Sequence, residues 1–307
     1  MEGKLTYVIP FDLEESDREF ETQYFNFARD LSALNRKEHH MTTKKGVPLN
    51  YHLRITLIRP YSDPTTVLSS ATVKTAPQNW VHRNGSVKLH YAREQMFKNA
   101  GIRKSERGRY SSTIRYVWDD ASQTWATPYF TDGTTTFTDF GEWDETTIAI
   151  DEDTDLKVAL FGTPVDETSA VNAATFNVGN AYLHSRRKPD EDDADAGDVS
   201  SPHSIIRSLY NVEDAVDDEV QAIAESEQDI PPYDQDGNAG TFTSQVNNPP
   251  LMLGNLGGSL KETVDVVVPY GICEILFAKQ EINGTNVNLS ADLGFYVEVL
   301  GTSEMQG

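Results

Sequence analysis

Residues 49–59, LNYHLRITLIR, set Leu53, Ile55 and Leu57 against His52, Arg54 and Thr56 in strict alternation, the period of a half-buried strand. Pro60 removes the next ladder N–H and ends it. Leu5–Pro10 and Val67–Lys74 read as further strands. Between them Phe20, Tyr24, Phe27, Ala28, Leu31 and Leu34 recur at helical spacing behind a capping-box signal at Ser16–Glu19, which predicts an amphipathic helix over 16–36. A second helix is expected over 86–100, opening on Ser86, closing at Gly101 and carrying Leu89, Ala92, Met96 and Ala100 in one arc. A third is expected over 204–227, from Ile205, Leu209, Val212, Val216, Val220 and Ile223.

From 111 to 187 the texture changes to threonine, aromatic and β-branched residues broken by turn signals. Strands are expected at Ser111–Trp118, Gln123–Phe130, Thr134–Phe140, Thr146–Ile150, Leu156–Phe161 and Ala173–His184. Residues 188–203 form an acidic run of low hydrophobicity, and 228–259 are rich in Pro, Gly, Asn and Gln, so both read as loops. Strands return at Thr263–Pro269, Ile272–Lys279, Val287–Leu289 and Leu293–Leu300. Strands at both ends of the chain have to pair across a long separation. The expected fold is therefore mainly β: a jelly-roll β-sandwich as one domain over 1–307, with inserted amphipathic helices and a helical, acidic-loop insertion at about 188–259. A compact double jelly roll is the alternative.

The net charge of −22 over 307 residues argues against a polyanionic partner if spread evenly. It is not spread evenly. Residues 1–35 carry 3 basic and 8 acidic groups, 36–116 carry 16 and 4, and 117–307 carry 7 and 36. Such asymmetry points to nucleic acid or a membrane surface on one side and a solvated acidic surface on the other. The single cysteine, Cys273, excludes an intrachain disulfide framework and any multi-cysteine zinc site. No stretch approaches the ~20 apolar residues of a membrane span, and the N-terminus lacks the apolar run of a signal peptide.

Catalytic signals are weak. There is no GxSxG, HExxH, Walker loop or GxGxxG after a strand. Adjacent His39 and His40 lack chelating spacing. The acidic loops at 151–155 and 234–238 lack the terminal glutamate of a calcium hand, and Glu142 to Glu145 supply carboxylates without a defined pair. The expectation is no enzyme, no cofactor and no metal. The basic block has a mechanism: Arg83, Lys88, Arg93, Lys98, Arg103, Lys104, Arg107, Arg109 and Arg115, interleaved with Tyr91, Phe97 and Tyr110, suit phosphate binding by charge and counterion release without base reading. The same block also suits pairing with the acidic segments of a neighbouring copy.

The segments Trp80–Trp118 and Glu225–Tyr233 resemble stretches of uncultivated-virus coat proteins. Together with the strand pattern and charge segregation, the chain resembles jelly-roll capsid proteins of small icosahedral viruses, of the kind found with single-stranded DNA genomes. The resemblance implies a virion protein that self-assembles into a shell and packages nucleic acid through a basic inner surface. It departs from that pattern at the N-terminus, where coat proteins carry an arginine-rich arm and residues 1–35 here are acidic. Genome charge then falls to the folded basic block, or the inner surface meets a membrane. A β-sandwich attachment or carbohydrate-binding protein, using Trp125, Tyr129 and Trp143, is the alternative function; a hydrolase is a third.

Overall fold

A computed structural model of the protein describes residues 3–9, 20–58, 67–119, 124–128, 143–149, 155–161, 175–186, 245–248, 251–253, 261–281 and 293–306. The expected helix at 204–227, the loops at 188–203 and 234–238, the strands at 134–140 and 287–289, and Tyr129 lie outside them.

The described chain is mainly β. Its strands are β1 (Gly3–Ile9), β2 (Phe20–Asn26), β3 (Leu49–Ile58), β4 (Val67–Thr75), β5 (Thr147–Ala149), β6 (Asp155–Ala159), β7 (Thr175–Asn177), β8 (Val246–Asn247), β9 (Leu251–Leu253), β10 (Lys261–Pro269), β11 (Ile272–Glu281) and β12 (Leu293–Glu304). The helices are α1 (Phe27–Asn35), α2 (Trp80–Asn99) and α3 (Val178–His184). One sheet has the order β1-β12-β3-β10; a second has β2-β11-β4, with β8 and β9 both paired to β4; a third, small sheet has β5-β6-β7. Among these strands every pairing is antiparallel except β6 with β7.

Alternation fixes which face each strand buries. In β3, Tyr51, Leu53, Ile55 and Leu57 are buried while Arg54 is exposed, and in β12 Phe295, Val297 and Val299 point the same way. The first two sheets face each other across these side chains, as in a β-sandwich. Tyr7 of β1 meets Phe25 of β2 edge-on at 4.9 Å, Phe25 meets Phe295 at 5.1 Å, and Phe277 of β11 meets Phe295 at 6.1 Å. Each such ring contributes roughly 1.5–3 kcal/mol through burial, with a further increment from the edge geometry. As the ends of the sequence demand, β1 pairs with β12, Gly3 opposite Val299.

The chain crosses from the first sheet to the second at Tyr270-Gly271, where both residues have positive φ, 61° and 72°. Gly271 is required twice over: a side chain would sit in left-handed backbone, and its Cβ would lie 2.8 Å from the Tyr51 ring. Tyr270 tolerates the same region because it is fully buried, with its hydroxyl hydrogen-bonded to Ser86 at 2.8 Å and donating to the His82 carbonyl at 3.1 Å.

Several expectations need correction. Among the described residues of the strand expected over 123–130 only Trp125 is bridged, to Tyr24, and the loop expected over 228–259 holds β8 and β9. Of the helix expected over 16–36, the described residues from Phe20 on form a strand and then a helix. Phe20–Asn26 pairs with β11 along seven residues, and Asn26 caps α1 by accepting the Arg29 N–H. The second helix starts at Trp80 rather than Ser86, because the Asn79 side chain accepts the His82 N–H. Its interior Gly85 is where α3 crosses, a Cβ there lying 3.1 Å from the Val178 carbonyl oxygen and 3.2 Å from Tyr182 Cβ. Ser111–Trp118 buries Ile114, Tyr116 and Trp118 as irregular chain, with only Val117 bridged, to Ala159. The strand expected over 173–184 ends at Asn177, whose side chain caps α3.

The outer face of the second sheet is covered at its centre. Glu274 of β11, nearly buried, accepts from Lys74 Nζ at 2.6 Å, Trp118 Nε1 at 3.1 Å and Gln245 Nε2 at 3.3 Å. These bonds fasten the chain between β4 and β8 onto the sheet. They also explain why residues 272–277 read as an apolar run broken only by Glu274: Cys273, Ile275 and Phe277 are buried on one face and Glu274 on the other.

Candidate nucleic-acid interface

The surface is built on α2 and the chain that folds back along it. The first half of α2 is anchored, with Val81, His82, Gly85, Ser86 and His90 buried. The apolar arc expected from Leu89, Ala92, Met96 and Ala100 meets the core only at its start: Leu89 packs against the core, while Ala92 and Ala100 are exposed. From Tyr91 onward the helix projects outward. Beyond it a turn at Lys104–Glu106 returns the chain against the helix.

The return is clamped by two of the expected phosphate-binding arginines. Phe97 lies between the guanidinium groups of Arg93 (4.9 Å) and Arg107 (4.3 Å). Arg93 donates to the Ser111 carbonyl at 2.8 Å, and Arg107 donates to the Glu94 carboxylate at 2.6 Å. Burial lowers the pKa of Arg93, yet an arginine keeps its charge in any protein setting. These cations fix the shape of the surface.

Three more of the nine are engaged elsewhere. Arg83 donates to the Met305 carbonyl at 3.2 Å and so holds the C-terminal segment. Lys88 donates to Ser185 Oγ at 2.6 Å beside Tyr182 of α3, and burial together with Arg186 lowers its pKa. Arg115 lies 4.5 Å over the Trp143 ring and reaches Glu38 at 3.3 Å. The remaining four, Lys98, Arg103, Lys104 and Arg109, are exposed. With them stand Tyr91, Tyr110 and Ile102, at 62, 55 and 39% exposure. Between residues 98 and 110 there are five basic side chains and one acidic.

Two further cations belong to this surface. Lys44 and Lys45 are exposed at a tight turn in which Thr43 N–H bonds the Val47 carbonyl at 2.7 Å. That turn leans on α2: a Cβ at Gly46 would collide with His90, and Gly46 has φ +80°. A Lys-Lys-Gly tripeptide inside the basic block was the available signal.

Other chemistry-bearing groups have structural partners. His39 bonds Asn35 at 2.9 Å, and Trp125 Nε1 and Lys157 both donate to Glu145, at 3.3 and 3.4 Å. Trp125 and Trp143 are half-buried. Among the described residues no three His, Cys, Asp or Glu side chains are grouped to hold a metal, and no helix is long and apolar enough to cross a membrane. Comparison of the chain with protein-family models, with curated proteins and with solved structures finds no match.

Proposed function

We propose that the protein is a jelly-roll capsid protein that assembles with copies of itself into a viral shell and holds nucleic acid at the exposed basic end of α2. The observation that carries this reading is strand order. Leaving out the small sheet β5-β6-β7 and taking β8 and β9 together as the fifth of the eight strands in the two large sheets, the pairs are first with eighth, second with seventh, third with sixth and fourth with fifth. Rolling one long antiparallel hairpin into two facing sheets produces those four pairs and the two sheet orders. Residues 76–245 then form an insertion at the tip of the hairpin. Jelly rolls recur in shell proteins, lectins and cupins.

Charge favours the shell among these. The exposed cations Lys98, Arg103, Lys104 and Arg109 form a sequence-independent phosphate surface, while residues 117–307 carry 36 acidic groups against 7 basic. A virion location follows from the same reading. Sedimentation velocity of the purified chain, with and without added nucleic acid, tests it. The expected result is a homogeneous, fast boundary of many copies; only monomer- or dimer-sized species over all concentrations and ionic strengths overturns it.

A further inference from the structure

The second sheet is covered around Glu274 on its outer face, whereas the outer face of the first sheet is open. Across that face the strand registers align one residue from each strand: Lys4 of β1 opposite Glu298 of β12, Glu298 opposite Arg54 of β3, and Arg54 opposite Asp265 of β10. The signs alternate, plus, minus, plus, minus. Side-chain exposures are 71% for Lys4, 22% for Glu298, 46% for Arg54 and 58% for Asp265. The next row is Thr6, Tyr296, Thr56 and Thr263, with Tyr296 43% exposed. Beside it Gly294 lies opposite Ile58, with the Tyr296 ring leaning over Gly294.

Within one chain this alternation gives cross-strand pairs, Arg54 to Asp265 at 2.8 Å and Lys4 to Glu298 at 3.7 Å. Exposed pairs of this kind add little stability. Their order has a further property: read backwards, the row is its own complement.

We infer that the open face of the first sheet is a two-fold interface with a second copy of the chain, its axis parallel to the strands and midway between β12 and β3. A half-turn about that axis reverses the row while keeping it level. Lys4 then faces the second copy's Asp265, Glu298 faces its Arg54, and the two reciprocal pairs complete the set. An axis along the row instead sets each charge against itself, so electrostatics selects one of the two arrangements. Shape agrees in the next rows, because the half-turn sets Tyr296 against Thr56 and Ile58 against Gly294, large against small. Strands of the two copies run nearly aligned, as in other sheet-on-sheet packings.

The interface does not depend on the shell reading: a dimer without particles supports it and removes the shell. Charge exchange on the full chain is the test, read by sedimentation equilibrium. Arg54→Glu alone sets two carboxylates against each other across the axis, and Glu298→Arg alone sets two guanidinium groups against each other, so each weakens the dimer at least tenfold. The double variant, or an equimolar mixture of the two single variants, restores it. Lys4→Glu, a change at a mostly exposed side chain, weakens it without touching the core. Where larger particles form, Thr6→Cys with Thr263→Cys gives the geometric readout, since these positions are three strands apart in one chain and adjacent across the axis. A short bis-maleimide, matched to the about 10 Å between facing sheets, links the pair into a covalent dimer and links neither cysteine alone. A monomeric wild type with no crosslink, or single reversals that dimerise like wild type, overturns the inference.

Discussion

Acidification is expected to strain the junction between α2 and the sandwich through one residue, His82. The side chain is fully enclosed, 6.2 Å from the Phe161 ring and 6.3 Å from the Tyr270 ring, and neither ring nitrogen has a hydrogen-bond partner among the described residues. Burial alone pulls its pKa down from 6.5 to about 4. The folded state therefore favours the neutral ring. Its contribution is whole above the ordinary pKa, falls as the pH drops from 6.5 towards 4, and is flat below that. Between about pH 7.5 and about pH 5 the loss from this group comes to about 2 kcal/mol.

His82→Phe isolates the effect. It keeps an aromatic ring in an aromatic site, removes the titration and removes an unpartnered buried N–H that costs roughly 1–3 kcal/mol. Overpacking offsets part of that gain, so the diagnostic quantity is the pH dependence rather than the difference at neutral pH. Urea unfolding followed by tryptophan fluorescence, with wild type and variant compared at each pH, reads it; Trp118 is fully buried. The expected result is a gap that grows in favour of the variant by about 2 kcal/mol from about pH 7.5 to about pH 5. A gap unchanged with pH refutes the reasoning.

Three other expectations follow. Burial raises the pKa of Asp30, which accepts from Tyr7 and Arg29, to about 6, the opposite case: its contribution is lost as pH rises through that value, so wild type should gain on Asp30→Asn between about pH 7 and about pH 4 in the same urea assay. Glu274→Gln leaves Lys74 without its anion and sets amide hydrogens near Trp118 Nε1; a loss on the order of 2–3 kcal/mol is expected, with faster proteolysis within residues 76–245. Changing Lys98, Arg103, Lys104 and Arg109 together to Glu should flatten the salt dependence of nucleic-acid affinity, by roughly 0.7–0.9 in log–log slope for each phosphate no longer neutralised, and leave the unfolding midpoint in place, whereas Arg93→Ala should lower the midpoint.

Much of the sandwich is legible in the sequence because its signals are local. The alternation in LNYHLRITLI and the apolar runs of β10 to β12 fix strands to within a few residues. Phe20–Asn26 misleads because Phe20, Tyr24 and Phe27 satisfy a helical period as well as a strand of aromatic residues. What decides between them is β11, some 250 residues away, and pairing at that distance leaves no local mark. The start of α2 is hidden for a related reason: Gly85 weakens a helix in isolation, and only the crossing of α3 accounts for it. The basic block is visible as composition, but its division is not. Arg93 and Arg107 resemble Arg103 and Arg109 in sequence; Phe97, Glu94 and the Ser111 carbonyl make the first two structural.

Electron microscopy of the purified chain, assembled at several salt concentrations with and without nucleic acid, tests the central claim most directly. The account predicts closed particles of uniform diameter whose averages carry icosahedral symmetry, with one β-sandwich per subunit. Fields containing only separate monomers and dimers under every condition contradict it.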